Sequence, residues 1–222
     1  MRRAALLPET PRTMEALTRE LSLAPSNLPP ESSGAPAVET AAWVERARRG
    51  DEDAFACLVE RHERMVLRTG LRLLGRLDLA QDAAQEAFLR FHRHLARFDA
   101  SRELGPWLYR IVVNVCRDLS RRQRWPPLVR LEEAKDVRSQ ESDEAALEDA
   151  VVRNEQRRLV QAALRALSPR EREAIVLRDL EGLPTSEVAR VLGSSEGTVR
   201  SQISTGRLKI KQYVEARQKG RR

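Results

Sequence analysis

A group of residues near the carboxyl end of this 222-residue sequence has the types and spacing needed to bind duplex DNA. Val199, Ile203 and Ile210 recur at helical spacing, which predicts the buried face of a helix. At about 100° per residue, polar and cationic residues between them face outward. Such a face provides hydrogen bonds and the positive charge that phosphate requires. The predicted duplex contacts are Thr198, Arg200, Ser201, Gln202, Ser204, Thr205 and Arg207.

A second group, in the middle of the chain, has the types that suit unpaired nucleic acid. Two aromatic residues stand at the start of a basic helical pattern. Aromatic rings stack on splayed bases at roughly 1 to 3 kcal/mol each, while arginines hold the backbone. Alternatively, the rings fill a core and the arginines form a solvated face, and these residues alone favour neither interpretation. The candidates are Trp107, Tyr109, Arg110, Asn114, Arg117, Arg121 and Arg122.

The sequence predicts no catalytic residue, no metal and no cofactor. Catalysis on nucleic acid would need a nucleophile with an activating base, or clustered carboxylates for a metal. No Ser or Tyr has a His partner in an evident motif. His92 and His94 would point about 200° apart on a helix, so that one ion could not easily bind both. Cys57 and Cys116 occupy apolar helical positions and predict buried free thiols in a reducing cytosol.

The DNA-contacting helix is predicted to be the last of three. Ser168 to Glu171 forms a capping box with proline at the first helical position, and Gly182 with Pro184 ends that helix. Thr185 is placed to cap a second helix to Leu192, and Gly193 to Ser195 forms the turn before the third. This succession is a helix-turn-helix, whose last helix can enter a major groove. An ordinary three-helix piece of a bundle is the alternative, which the cations from Lys209 onwards disfavour.

The unpaired-strand candidates lie on a helix that Pro106 is expected to start and that runs to about Arg124. Before it, the sequence predicts a short apolar turn from Ala41 and a helix capped by Asp51 and ended by Gly75. A helix from Asp78 to Phe98 follows, with an apolar stripe at three- and four-residue steps. The polar side of that helix is a candidate docking surface.

Composition places these elements in an all-α chain of two small helical domains. The net charge of +7 and pI near 10.2 suit a polyanionic partner. Proline-rich residues 1–40 predict a flexible extension, and no apolar run is long enough to span a membrane. The predicted division is residues 41–124 for the first domain, 125–149 for a flexible acidic linker, 150–215 for the helix-turn-helix domain and 216–222 for a basic tail.

Two blocks of motifs, one in each domain, carry a family resemblance. The first block consists of Gly50–Phe55, Asp82–Leu89 and Trp107–Asp118. The second consists of Leu167–Glu173, Leu177–Leu183, Glu187–Gly193 and Gly197–Ser201. Together, over about residues 41–213, they resemble the bacterial sigma factors of the extracytoplasmic-function (ECF) group, in the sigma-70 superfamily. Two motifs in this order with a linker between them are far more specific than either alone.

The resemblance implies a transcription initiation factor with no enzymatic activity of its own. Such a protein binds core RNA polymerase, directs it to promoters through the −10 and −35 elements and stabilises the melted strand. It would act in the bacterial cytoplasm, with polymerase at the nucleoid. The acidic linker would thread the active-site and RNA-exit channel, and an anti-sigma factor would clamp the two domains. No small-molecule substrate and no membrane insertion are expected.

The resemblance also implies roles for particular residues. Polymerase clamp helices would be bound through Asp82, Gln85 and Glu86. The loop before Trp107 and the helix that bears Asn114 and Arg117 would capture unpaired −10 bases. The last domain would bind the polymerase flap and read the −35 element with the duplex contacts given above.

The sequence departs from the usual family pattern at four positions. Gln81 precedes Asp82 where the family has a Glu-Asp pair, which leaves one charge fewer on the docking face. Gln202 and Thr205 stand where Arg is frequent, so phosphate contacts should be weaker. Gly206 stands where Ala is frequent, and glycine inside a helix costs about 1 kcal/mol against alanine.

One other class of DNA-binding protein stays open at this point. An autonomous regulator would bind duplex DNA through the helix-turn-helix without polymerase, usually as a dimer on a two-fold-symmetric site. No dimerisation helix is evident in the sequence, which weighs against it. An enzyme acting on nucleic acid is disfavoured by the missing catalytic motifs.

Overall fold

The computed structural model describes residues 35–99, 102–123 and 158–219, and these residues form helices joined by short turns. No strand occurs within them, in agreement with the predicted all-α class. The extension before residue 35, the acidic linker and residues 220–222 lie outside the described residues. Residues 150–157, at the start of the second predicted domain, also lie outside them.

The first domain is built from four helices. They are α1 Ala35–Arg48, α2 Glu52–Leu74, α3 Leu77–His94 and α4 Leu104–Gln123. A 3₁₀ turn, Leu95–Arg97, follows α3, so the predicted long helix to Phe98 ends in a tighter turn. The first helix begins at Ala35, earlier than the start predicted near Ala41.

Local signals set the boundaries of α2. The side chain of Asp51 accepts a hydrogen bond from the Ala54 amide at 2.9 Å, which satisfies one of the free donors at the helix start. Gly75 ends the helix with φ of 73°, a conformation that other residues adopt only with strain. Both predicted caps are confirmed. Pro106 lies inside the first turn of α4, where its missing amide hydrogen removes no helical bond.

The core of the first domain forms where α1, α2, α3 and the start of α4 meet. The apolar stripe of α3 is directed into it, and Phe91 is fully buried. A cluster of seven residues fills this space: Val44, Leu58, Phe91, Leu95, Phe98, Leu104 and Leu108. The stripe predicted from the sequence is therefore core.

The second domain is made of four further helical segments. They are α5 (residues 158–165), α6 Pro169–Ile175 continued by a π-helical turn Val176–Leu180, α7 Thr185–Leu192 and α8 Glu196–Lys219. The capping box is confirmed: the Ser168 amide donates to the Glu171 carboxylate at 2.9 Å, and the Glu171 amide donates to the Ser168 hydroxyl. The predicted helix-turn-helix is thus present as α7 and α8.

The predicted cap of α7 was wrong. Thr185 is the first residue of the helix, and Pro184 precedes it as the cap without a side-chain hydrogen bond. The Pro184 carbonyl accepts the first helical hydrogen bond, from the Val188 amide. The helix therefore starts at Thr185, whereas a threonine cap would place the start at Ser186. Ser195 instead caps α8, because its hydroxyl accepts from the Thr198 amide at 3.1 Å.

The two domains pack against each other and share a continuous core. Buried residues from α2 and α4, including Val66 and Val112, belong to the same cluster as Leu164, Ile175 and Val188. In the structure α7 packs against α4, and the π-helical turn packs against α2. The sequence predicted a flexible linker that does not fix the distance between the two domains. It gave no indication that the domains pack against each other.

Candidate nucleic-acid and polymerase surfaces

The outer face of α8 is polar and open to solvent. Its inner face carries Val199, Ile203 and Ile210, each less than a tenth exposed. The predicted duplex contacts Thr198, Arg200, Ser201, Ser204, Thr205 and Arg207 are all exposed. Gln202 is half-buried, and its side-chain oxygen has no partner among the described residues. The face expected from the helical period is therefore formed, with Gln202 at its edge.

The two arginines of this face are held by carboxylates of the same domain. Arg200 donates to Glu196, one turn earlier on α8, at 2.7 Å. Arg207 forms two bonds with Asp179, at 2.6 and 2.9 Å, and this hydrogen bonding raises the pKa of the Arg207 guanidinium. Both arginines remain substantially exposed, so a phosphate can replace the carboxylate as their partner.

Gly206 lies where α8 packs closely against α6. A β-carbon at this position would lie 2.8 Å from Cγ1 of Ile175 and 3.3 Å from its Cδ1. Ile175 is itself buried at 1% exposure and cannot move into solvent. Glycine is therefore the residue that lets the two helices approach, a reason that the helical propensity of glycine does not reveal.

The seven unpaired-strand candidates of α4 are not equally accessible. Arg110, Asn114, Arg121 and Arg122 are exposed. Trp107 is half-buried, with ring centroids 5.6 Å from Phe91 and 4.9 Å from Phe98. The helix therefore combines core aromatic packing at its start with an exposed basic side further on. Packed aromatic residues with exposed arginines are the arrangement expected if the rings fill a core, and binding of unpaired bases by this helix stays a prediction.

Tyr109 and Arg117 of α4 are engaged by the second domain. Tyr109 is buried, and its hydroxyl donates to Glu181 at 3.0 Å. Burial, more than the nearby Glu181 charge, raises the pKa of this hydroxyl far above its ordinary range. Arg117 donates two bonds of 2.7 Å to Glu173. In this arrangement of the domains, neither side chain is free to meet DNA.

A cleft of about 580 Å³ opens between the segment before α4 and helix α7. Its lining includes Trp107, Arg110 and the segment around Arg102 on one side, and Glu187 and Arg190 on the other. The loop predicted to capture unpaired bases therefore borders an open space with an aromatic wall and both arginines and carboxylates on its sides. Helix α7 closes that space from the second domain.

The polymerase-contact candidates share one face of α3. Asp82 and Gln85 are exposed, and Glu86 is half-buried. Glu86 accepts from Arg90 at 2.7 Å, and Arg90 also donates to Asp118 of α4 at 3.0 Å. The hydrogen bond from Arg90 lowers the pKa of the Glu86 carboxyl. The Glu86 carboxyl is therefore ionised at neutral pH, and its ion pair with Arg90 offsets part of the negative charge on this face.

Sequence reasoning missed four charged residues that connect the domains: Arg68, Arg72, Glu173 and Glu181. One signal was available. Glu173 stands directly before the apolar run 174–177, so a position near a buried surface could be expected for it. Nothing in the sequence indicated its partner, which is 56 residues away.

Other kinds of site find no support in the described part of the chain. No group of three or more His, Cys, Asp or Glu residues there could hold a metal. Cys116 is buried and Cys57 is half-buried, and both are free thiols. Burial raises the pKa of the Cys116 thiol to about 12. None of the described helices combines the length and apolarity needed to cross a bilayer.

The described helices form two domains, with a helix-turn-helix in the second. Residues 58–126 match the family model for sigma-70 region 2, and residues 157–210 match that for sigma-70 region 4. The ECF RNA polymerase sigma factor SigW of Bacillus subtilis is 32% identical over 77% of this chain and 94% of its own length. The chain belongs to the ECF sigma factors of the sigma-70 family, which are transcription initiation factors that work with RNA polymerase and are not enzymes.

Solved structures agree with this assignment. CnrH, determined in complex with the cytosolic domain of CnrY, gives a TM-score of 0.58 at 29% identity, over 80% of this chain and 98% of that one. RpoE of Bartonella quintana, determined with the anti-sigma factor NepR, gives a TM-score of 0.57 over 72% of this chain and 96% of that one. At 21% identity the second likeness concerns the fold alone.

Proposed function

We propose that the two domains divide promoter recognition between α8 and α4. Helix α8 reads the −35 element in the major groove, while α4 and the loop before it hold the opened strand of the −10 element. The observation that carries this proposal is the exposed polar face of α8, opposite a fully apolar inner face. Polar and cationic residues that face solvent on the last helix of a helix-turn-helix are placed to reach the major groove.

In the −35 role, Arg200 and Arg207 supply charge, and the small polar residues allow a close approach. Arg200 would exchange Glu196 for a backbone phosphate or a base, and Arg207 would exchange Asp179. The face has only these two arginines, so binding by this domain alone should be modest. The C-terminal domain would therefore position a polymerase that is already bound, more than capture DNA unaided.

In the −10 role, the exposed residues of α4 contact the melted strand. Arg110, Arg121 and Arg122 would bind its phosphates, and Asn114 can both donate to and accept from a base. The cleft beside Trp107 would receive an unpaired base. Tyr109 and Arg117 would join this surface once the second domain has left it.

The acidic face of α3 is proposed to hold the clamp helices of core polymerase. Asp82 and Gln85 extend into solvent, and Glu86 lies one turn from Asp82 on the same side. The second domain would bind the polymerase flap. The residues between the domains, 125–149, would act as the linker between residues 41–124 and 150–215, with 216–222 as a basic tail.

Three further expectations follow from this role. The protein would act in the bacterial cytoplasm, at the nucleoid, because polymerase and promoters are there. It would have no catalytic activity of its own. An anti-sigma factor would control it, in the way that RpoE of Bartonella quintana is bound by the anti-sigma factor NepR.

Site-directed variants on a mapped promoter test the −35 assignment. Arg200→Ala should weaken promoter binding by the polymerase complex and reduce the salt dependence of log Kd by about one. Arg49→Ala, an exposed arginine in the turn between α1 and α2 and outside the candidate surfaces, is the control and should leave the slope unchanged. An Arg200→Ala complex that binds with the wild-type slope would remove α8 as the reading helix.

A further inference from the structure

The carboxylate of Glu181 in the second domain is completely enclosed by donors of the first. Its side chain has 0% exposure. Arg68 donates to one oxygen at 2.7 Å, Arg72 to the other at 2.7 Å, and the Tyr109 hydroxyl donates at 3.0 Å. A buried carboxylate with two arginines and a tyrosine is a satisfied charge, and its partners lose their compensation if it leaves.

Glu173, on the same helical segment as Glu181, makes a second contact of the same kind with α4. Both of its oxygens accept from Arg117 of α4, each at 2.7 Å, in the two-bonded geometry that a guanidinium forms with a carboxylate or a phosphate. The Glu173 side chain is 8% exposed. The hydrogen bonds that Arg117 donates to Glu173 raise the pKa of the Arg117 guanidinium. The two glutamates thus bind donors on two neighbouring helices, α2 and α4.

Hydrogen bonds to backbone carbonyls fix the same arrangement at the carboxyl end of α2. Gln161 donates to the Leu71 carbonyl at 3.2 Å, Arg172 to the Leu73 carbonyl at 3.0 Å and Arg165 to the Gly75 carbonyl at 3.2 Å. Carbonyls at a helix end lack partners within the helix and carry partial negative charge. The second domain supplies both the donors and, through its arginines, the matching charge.

The donors that receive the two glutamates have the chemistry of a phosphate-binding surface. Arg68, Arg72 and Arg117 carry three positive charges across α2 and α4, with the Tyr109 hydroxyl between them. Guanidinium groups bind phosphate oxygens with the same fork that they use here for carboxylates. We name Arg68, Arg72, Tyr109 and Arg117 the donor face.

We propose that Glu173 and Glu181 are intramolecular competitors of the promoter strand. They hold the second domain on the donor face, so that this face binds the backbone of opened DNA only after the domains have parted. Arg68 and Arg72 then extend the strand-binding surface from α4 onto α2. The proposal rests on the strand-binding role proposed for α4, and it adds an internal restraint on that role.

The packing of the second domain on the donor face, which we call the closed form, and the binding of the DNA strand become linked equilibria. A chain whose binding-competent form is a minor fraction binds its ligand more weakly by that fraction. Polymerase would favour the open form because it engages the two domains at separate sites, and a partner that seats both domains together would favour the closed form. No contact with DNA is needed for either effect.

The test uses the full chain with Glu173→Gln and Glu181→Gln combined. Glutamine keeps the shape of glutamate and removes the charge that the arginines compensate. The matched control is Glu60→Gln with Glu215→Gln, which removes one exposed carboxylate from each domain and raises the net charge equally. Small-angle X-ray scattering measures whether the domains separate, and fluorescence anisotropy measures binding to a labelled poly-dT oligonucleotide.

We expect the double variant to have a larger radius of gyration than wild type and to bind poly-dT more tightly, on the order of tenfold. The control should match wild type in both measurements. A variant that stays compact, or that expands without binding more tightly, would overturn the proposal. Glu173→Gln alone breaks one of the two contacts and should give a smaller change of the same sign, which keeps the test informative if the double variant does not fold.

Run-off transcription with core polymerase separates this proposal from the function on which it rests. If the double variant initiates normally but gains no affinity for poly-dT, competition by the glutamates is wrong and the initiation role stands. If it gains affinity and Arg121→Ala with Arg122→Ala does not reduce that gain, the closure stands and the assignment of strand binding to α4 fails.

Discussion

Replacing Gly206 by alanine should destabilise the second domain, although alanine is the better helix former. Two opposing terms decide the result. Alanine in a helix interior gains about 1 kcal/mol over glycine. Against this, its methyl group would lie 2.8 Å from Cγ1 of Ile175, and overpacking of this kind costs roughly 1 to 3 kcal/mol. The net loss in the free energy of unfolding should be about 1 kcal/mol.

Relaxation of α8 away from α6 is restricted, which keeps the clash costly. Two ion pairs just after Gly206 hold α8 in place, one between Arg207 and Asp179 and one between Lys209 and Glu171. Moving the helix would stretch both pairs and open the buried face.

Gly197 provides the matched control on the same helix. A β-carbon there meets only the Ser195 hydroxyl, at 3.9 Å, so Gly197→Ala should be neutral or stabilising. Urea unfolding followed by far-UV circular dichroism should separate the two variants by about 2 kcal/mol, because the propensity gain is similar and only the clash differs. If Gly206→Ala were as stable as Gly197→Ala, the close approach of α8 to Ile175 would be refuted.

Three further outcomes are expected from the structure. Burial lowers the pKa of His62 to about 4, so between about pH 6.5 and pH 4 the unfolded chain binds a proton that the folded chain does not. The free energy of unfolding should therefore fall by roughly 3 kcal/mol from neutral pH to pH 4. Urea titrations should show that His62→Leu removes this contribution to the pH dependence of stability. Asp82→Lys should weaken core polymerase binding on the order of tenfold in a pull-down titration, whereas Glu63→Lys, exposed on α2, should not. Cys57 should react with iodoacetamide well before Cys116, whose thiol is buried with a pKa of about 12, and peptide mass spectrometry would reveal equal rates if that burial were wrong.

Local signals in the sequence predicted most of the helical framework. The Asp51 cap, the capping box at Ser168 and the turn at Gly193 each depend on a few adjacent residues. The inner face of α8 follows from a period that any isolated helix would keep. The Thr185 prediction failed although threonine is the better capping residue of the two, because the helix begins one residue earlier, with Pro184 in the cap position.

Contacts between distant segments could not be predicted in the same way. From the sequence, Gly206 was expected to destabilise its helix. Its packing role is visible only from the position of Ile175 beside it. Tyr109 was a candidate both for base stacking and for the core, and in the structure it is buried with its hydroxyl bonded to Glu181. In both cases the partner lies more than 30 residues away, and the pairing depends on how helices pack.

The central claim is that this chain directs core RNA polymerase to promoters. The most direct measurement adds the purified full chain to core polymerase on genomic DNA and maps the 5′ ends of the transcripts. The account predicts discrete start sites that share sequence elements upstream, at the −10 and −35 positions, and that disappear when the chain is omitted. A chain that does not bind core polymerase, or that leaves the start sites of core polymerase unchanged, would contradict it.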